Sequence, residues 1–381
     1  MNMVSALAQM QAGPARLPED ERVRRWTELA AHASEPNPFY HPALLIPALD
    51  LLDDHGVNRP LEAYAGDQLI GLLPVEPMVR HGRYPFANVV NMTHPHCFFG
   101  APLLRAGQES AAWAALLAQL DDARWSGQFL YLTGQDEAGP VMAALRNVCV
   151  AQSRPYGVTG RYERAMLHSD LSAGEYWTTH VRAKKRKELR RLVNRLEETG
   201  AVTHRRLTDV RELPLWCADF LALEASGWKG NQGTALDSRS ATRDYFFACC
   251  DNAYAADMLD MLRIDVDGRA IAMLVNFRHL RGAFSFKIAI DENFGRYSPG
   301  ILIELDNLYA VQGDDRLDWM DSCATPDHPM IDSLWAERRS IVQARIALRG
   351  TGSRRTIRAI SYRLTTFVEE LRRRIKGWSK L

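Results

Sequence analysis

Two stretches of this chain carry the same succession of patterns, and that repetition limits the fold more than any single motif does. Residues 61–80, LEAYAGDQLIGLLPVEPMVR, read as two short strands around a Gly66-Asp67 turn, the composition of a β-hairpin. A strand-like stretch follows at Ala87–Thr93, then the loop HPHCFFGAPLL and an Ala/Leu-rich helix over roughly Glu109–Ala123. The strand QFLYLTG, a helix from about Gly139 to Ala151 and a closing strand near Tyr162–Leu167 complete the set. Residues 258–347 run through that order again. MLDMLRIDVDGRAIAMLVNFRHL is a hairpin around Asp267-Gly268, GAFSFKIAID a strand with alternating faces, and ENFGRYSPG a loop. The helix ILIELDNLYAVQG stops at Gly313; after it come the strand RLDWMDSC, a helix expected over HPMIDSLWAERR, and the strand SIVQARIAL. Residue identity between the halves is slight, so what repeats is element order. That order predicts an α/β (α+β) class protein in which each half is a mixed central sheet flanked by helices. The expected boundaries are 1–168, 169–350 and a basic amphipathic C-terminal helix over 351–381.

Composition removes several classes of partner. The 381 residues carry 47 basic against 46 acidic side chains, so net charge selects no polyanion. No run approaches the ~18 apolar residues of a membrane span, and the first residues lack the basic-then-apolar pattern of a secretion signal. None of the six cysteines forms a Cys-x-x-Cys pair, and adjacent Cys249 and Cys250 suit a buried helix face, which points to a reducing, cytoplasmic setting. Charge is nevertheless clustered. RAKKRKELRRLVNR, Arg182–Arg195, has eight basic residues and one acid, and Arg354–Lys380 has nine against Glu369 and Glu370. Both blocks keep a helical apolar stripe, in the second Ile357, Ile360, Leu364, Phe367, Leu371, Ile375 and Trp378. The stripe is expected to pack on the second half, leaving a basic tail for peripheral contact with an anionic membrane.

The segment Asp291–Ile303, DENFGRYSPGILI, is the most informative for chemistry. A strand ends at Asp291 and a helix opens near Pro299, which a first helical turn tolerates. Gly300 permits close approach of another group, and Ser298 is placed to cap the helix. Such a strand–loop–helix start offers free amides and the positive dipole end to an anion.

RYSPGIL at this position resembles the phosphate-binding turn of the GNAT acyltransferases, whose usual form is Arg/Gln-x-x-Gly-x-Gly/Ala. Here Arg296 and Gly300 are four apart and Leu302 stands at the second small position, a Ser-Pro-Gly form similar to that of bacterial tandem-GNAT proteins associated with cellulose biosynthesis and related in fold to the FemAB peptidyl transferases. The basic helix KKRKELRRLVNRLEETG and the segments FLALEASGWKGNQGTAL, DGRAIAMLVNF and DSCATPDHPMIDSLWAERR agree with that branch over residues 170–345; PFYHPALL and QLIGLLPV extend it into the first half. The resemblance implies tandem GNAT domains, acetyl-CoA or another acyl-CoA as co-substrate, and a pyrophosphate held at Arg296, Tyr297, Ser298, Gly300 and Ile301. It also implies a donor site in the second half and an acceptor in the groove between halves.

Acyl transfer from a thioester needs alignment, a polarised carbonyl and removal of the acceptor's proton. The candidates are Lys287, mid-strand on the face of Ser285 and Ala289; Asp321, at the end of the next strand; and His328, before Pro329 at the expected helix start. Trp228 and Lys229 open the Gly-rich loop GWKGNQGTAL, suited to an acceptor lid. His94, His96 and Cys97 have poor metal-ligand spacing, so no metal is expected. Nor is there a Gly-x-Ser-x-Gly elbow, a Walker loop or a Gly-x-Gly-x-x-Gly fingerprint. The expected activity is acyl-CoA-dependent N- or O-acyl transfer to a small-molecule, amine or glycan acceptor, in polysaccharide or cell-envelope metabolism. The alternatives are FemAB-like aminoacyl or peptidyl transfer, the one case that would involve tRNA, and a non-catalytic GNAT-like docking protein. No other nucleic-acid partner is expected.

Overall fold

The computed structural model describes residues 19–350 and 353–378; the expectation for the first eighteen residues lies outside them. Twelve strands follow in chain order: β1 Arg59–Ala65, β2 Gln68–Met78, β3 Asn88–Asn91, β4 Leu103–Leu104, β5 Phe129–Asp136 and β6 Tyr156–Leu167 in the first part of the chain. Then come β7 Val202–Arg206, β8 Leu259–Val266, β9 Arg269–His279, β10 Gly282–Ile290, β11 Trp319–Asp321 and β12 Glu337–Ala347. The chain divides into two compact units that interleave along the sequence. One holds residues 1–42, 55–161 and 341–381; the other holds 43–54 and 162–340.

In the first unit, β1 pairs antiparallel with β2, β2 with β3 and with short β4, β3 parallel with β5, and β5 antiparallel with the end of β12. The helices Glu109–Asp122 and Pro140–Ala151 lie where the Ala/Leu pattern puts them. The loop after β3 consumes its own polar groups. The Gly100 amide donates to Gly134 O, and Gly100 O accepts from Asn91 and Gln135 side chains at 3.0 and 2.7 Å. That loop is therefore a closed structural turn.

The second unit repeats the plan. β7, β8, β9 and β10 are successive antiparallel neighbours, β10 runs parallel to β11, and β11 pairs antiparallel with the end of β6. Asp267 and Gly268 both take left-handed φ, 51° and 79°, as a two-residue hairpin that follows strand twist requires. The core gathers Leu189, Leu192 and Leu196 of the basic helix Ala183–Glu197 with Ile264, Ile271, Ile303 and Trp335. Cys249 and Cys250 are both fully buried on the helix Ser240–Ala255. That helix is enclosed on a face wide enough to take successive residues.

Three expectations are corrected. HPMIDSLWAERR forms no α-helix; a single 3-10 turn, Ile331–Ser333, stands there, and the end of the run, from Glu337, is drawn into β12. The helix Ser353–Trp378 exists, but its apolar stripe faces outward. Ile357, Ile360, Leu364 and Phe367 are about half to two-thirds exposed, while Arg358, Tyr362 and Thr365 are buried. It belongs to the first unit, where Arg358 donates to Asp121 O, Ala123 O and Ser126 Oγ. A guanidinium that satisfies carbonyls at a helix end outweighs apolar burial here. Leu371, Ile375, Trp378 and the cations Arg372–Lys376 lie outside the described side chains. Among the described residues no helix is long and apolar enough to cross a membrane.

Candidate active site

The strand β10 creates the opening. It pairs with β11 over only three residues, Gly282–Phe284 against Trp319–Asp321, and then runs on alone along that edge to Ile290. A bulge between Ser285 and Lys287 inserts Phe286: Ser285 pairs with Asn276, and Lys287 with its neighbour Val275. The alternation is therefore reset, and Lys287 stands on the face opposite Ser285. This overturns the placement drawn from strict alternation.

Beside the splayed edge is a cleft of about 370 Å³ lined by Glu224, Trp228, Lys229, Ile288, Gly300, His328 and Met330, among others. It brings together four residues singled out from the sequence: Trp228, Lys229, Gly300 and His328. Their order in the chain gives no hint of this, because one comes from a helix start, one from a coil and two from a short helical turn, Trp228–Asn231. Lys229 is not on a free lid. Its Nζ donates to Glu224 Oε1 at 3.0 Å and to Ile288 O at 3.2 Å, a carbonyl on the unpaired edge of β10. Trp228, 55% exposed, is held through its backbone amide, which donates to Glu292 Oε1 at 2.8 Å.

Glu224 is the residue that sequence reasoning missed. It is 3% exposed in the last turn of the helix Leu213–Ser226. Oε1 accepts from Lys229 and lies 3.7 Å from Lys287 Nζ, and Oε2 accepts from the Leu236 amide at 2.8 Å. The signal was present: Glu224 falls three and four residues after Leu221 and Phe220, on the apolar face of its helix. A carboxylate on such a face needs cations, and it has two. Burial lowers the Lys287 pKa; the Glu224 carboxylate opposes this and the Lys229 ammonium adds to it. His328 lines the cleft, and its buried Nδ1 has no hydrogen-bond partner among the described residues.

The loop after β10 supplies the other wall. Ser298 occupies the N-cap position of the helix Pro299–Gln312 but makes no side-chain cap, because it sits in the left-handed region at φ 53°. Ile301 and Leu302 amides donate to Ser298 O and Pro299 has none, while no described residue accepts from the Gly300 amide. Gly300 borders the cleft, and a Cβ there would lie 3.2 Å from Met330 Sδ. Tyr297 is buried in the core and Ile301 packs against it, whereas Arg296 is exposed, stacked over the Tyr297 ring at 4.8 Å. Of the five residues of the expected phosphate turn, Gly300 is the one on the cleft.

Asp321 lies elsewhere. It is fully buried; Oδ2 accepts from Arg164 at 2.6 Å and Arg339 at 3.0 Å, and Oδ1 accepts from the Cys323 amide at 2.8 Å. Burial pushes its carboxyl up, but the two guanidinium charges outweigh it and hold the pKa below the ordinary value. The group is committed to tying β6, β11 and the start of β12 within the second unit.

Residues 183–324 match the family model described as an acetyltransferase (GNAT) domain. The match lies within the second unit, which thus contains a domain of the GNAT acetyltransferase type. The likeness of fold reaches nearly end to end. FemX superposes with a TM-score of 0.56 at 8% identity over 87% of this chain and 96% of its own. A conserved protein of unknown function from Bacteroides thetaiotaomicron gives 0.55 at 12% identity over 89% of this chain and all of its own. No curated protein matches the chain.

Proposed function

We propose that this protein transfers an acyl group, acetyl in the simplest case, from acyl-CoA to an amine or hydroxyl of a small-molecule or glycan acceptor. The observation that carries the reading is the cleft at the open edge of β10, with the unengaged Gly300 amide on its wall. Apolar Leu223, Ile288, Ile290 and Met330 suit the donor's pantetheine arm, and the glycine leaves room a Cβ would fill. When bound, the donor supplies an activated thioester carbon. The Gly300 amide and the dipole of the helix Pro299–Gln312 hold its pyrophosphate. The His328 imidazole accepts the proton released as the acceptor's nitrogen or oxygen bonds to that carbon. Lys287, cationic beside Glu224, stabilises charge on the departing sulfur. Glu224 positions both lysines. Trp228 covers the acceptor's entry.

The resemblance of residues 170–345 to proteins tied to cellulose biosynthesis favours a glycan of the polysaccharide or cell-envelope type. The fold shared with FemX keeps aminoacyl or peptidyl transfer as a second reading. The six cysteines are thiols with no disulfide among them, which fits a cytoplasmic location. The outward stripe of the C-terminal helix, flanked by Arg354, Arg355 and Arg363, fits peripheral contact with an anionic membrane. The decisive test is calorimetry with acetyl-CoA. Gly300→Asp is expected to abolish binding by placing a like charge at the pyrophosphate, while Gly300→Ala, whose Cβ meets the flexible Met330 most closely and Ile290 and Ile288 at ordinary contact distance, retains part of it. Unchanged affinity in Gly300→Asp would remove the donor assignment.

A further inference from the structure

The helix Ser353–Trp378 is fastened to the first unit by one side. Arg358, Tyr362 and Thr365 are buried there, and β12 lies beneath them: Tyr362 OH donates to Arg345 O at 3.3 Å, and Thr366 Oγ1 accepts from the Arg345 guanidinium at 2.9 Å. The opposite side carries Ile357, Ile360, Leu364 and Phe367, all exposed. Their spacing is three, four, three, and Leu371 continues it by four in the sequence. Alternating threes and fours make the a/d seam of a heptad, with Ile357, Leu364 and Leu371 at a and Ile360 and Phe367 at d. A helix that packs on a broad apolar surface needs a wider stripe; a strict a/d seam is matched by a second helix. The flank of the seam names that helix. Its g positions are Arg363 and Glu370, both exposed and of opposite sign. In an antiparallel pair each g position faces the g position of the other helix. With Leu364 opposite Phe367 of the partner subunit, the two-fold axis falls between residues 365 and 366, and each Arg363 reaches Glu370 of the partner subunit. The same axis sets Ile360 opposite position 371. A parallel pair would instead set Arg363 against the e position, Val368. The seam and its charges are self-complementary in one orientation, as a closed two-fold interface requires.

We propose that this face is a homodimer interface, on which a second copy of the chain lays its own helix Ser353–Trp378 antiparallel along the seam, flanked by two Arg363–Glu370 ion pairs. A single helix pair is a small contact, so the dimer is weak and concentration-dependent, with a Kd on the order of 1–100 μM. A copy paired in this way has no stripe to offer a lipid surface, so dimer and membrane contact compete for one face. A lipid surface sets no a/d spacing and does not require Glu370 opposite Arg363; a second helix accounts for both. The inference does not depend on the acyl-transfer reading.

The test is sedimentation velocity of the full chain over a range that brackets those concentrations. The wild type is expected to pass from monomer to dimer. Arg363→Glu and Glu370→Arg, each alone, turn two attractive pairs into two repulsive ones and are expected to weaken the dimer ~10-fold. Mixed in equal amounts, the two variants pair opposite charges again at both ends, so a heterodimer of near wild-type affinity is expected; the double variant Arg363→Glu/Glu370→Arg should likewise dimerise as the wild type does. Leu364→Ser/Phe367→Ser removes the two central layers and is expected to stay monomeric, with an unchanged circular dichroism spectrum because both side chains are exposed. A wild type that remains monomeric up to ~100 μM, a dimer that survives Leu364→Ser/Phe367→Ser, or single-charge variants that do not recover on mixing would each overturn the interface. A monomeric wild type that floats with vesicles containing phosphatidylserine would overturn it and give the face to lipid.

Discussion

Replacing Asp321 by Asn separates a structural carboxylate from a catalytic one. The wild-type side chain is inaccessible to solvent and neutralises two guanidinium groups, themselves 2% and 4% exposed, at 2.6 and 3.0 Å. Asn keeps the shape and removes the charge, which takes from Arg164 and Arg339 the buried carboxylate they share. Breaking a buried pair in this way costs about 3–5 kcal/mol. With a urea slope of about 3 kcal/mol/M, the unfolding midpoint of the second unit is expected to fall by about 1–1.7 M. Urea titrations followed by circular dichroism would measure it, with Asp321→Asn/Arg339→Met as the partner variant. Removing one of the two like charges should recover part of the loss. Acid should act in the same direction. Because the folded-state pKa is depressed, the carboxylate's contribution is present above its ordinary value and is lost as pH falls through the folded value. A loss under ~1 kcal/mol in Asp321→Asn, accompanied by a collapse of turnover in a folded protein, would refute this reasoning and return the residue to the chemistry.

His328→Ala and Lys287→Met are each expected to lower kcat by ~10²-fold with little change in donor affinity; steady-state kinetics with a working acceptor would show it, and wild-type turnover in both would move the chemistry elsewhere. Glu304 is fully enclosed in the helix Pro299–Gln312, and burial raises its pKa from 4.5 to about 7, against the Asn307 hydrogen bond. Its contribution is therefore present below its ordinary value and lost as pH rises through about 7, so Glu304→Gln should gain about 3 kcal/mol over wild type between pH 4 and 8.5; a pH-independent difference in denaturation would contradict it. For the C-terminal helix, Ile357→Ser/Phe367→Ser is expected to reduce flotation with anionic vesicles at low salt, and equal, negligible binding of wild type to anionic and neutral vesicles would exclude membrane contact.

Both hairpins and the helix after β10 were legible in the sequence because each rests on local rules: turn chemistry at Asp267-Gly268, period-two strands, and a helix stop at Gly313. The sequence also marked Gly300, Trp228, Lys229 and His328, and the structure brings these onto one cleft. Tertiary packing decided the rest. The Phe286 bulge is a property of two paired strands, so no pattern along β10 alone could reveal which face Lys287 takes. Glu224 became visible only when Lys229 and Lys287, from separate elements, converged on it. Asp321 looked available at a strand end, but Arg164 and Arg339 arrive from 157 and 18 residues away to claim it. The periodicity of the C-terminal helix is plain in the sequence, but the direction of its apolar stripe is not. A 3.6-residue period states that two faces of a helix differ, and the partner of each face is settled by where Arg358 finds the carbonyls of residues 121 and 123.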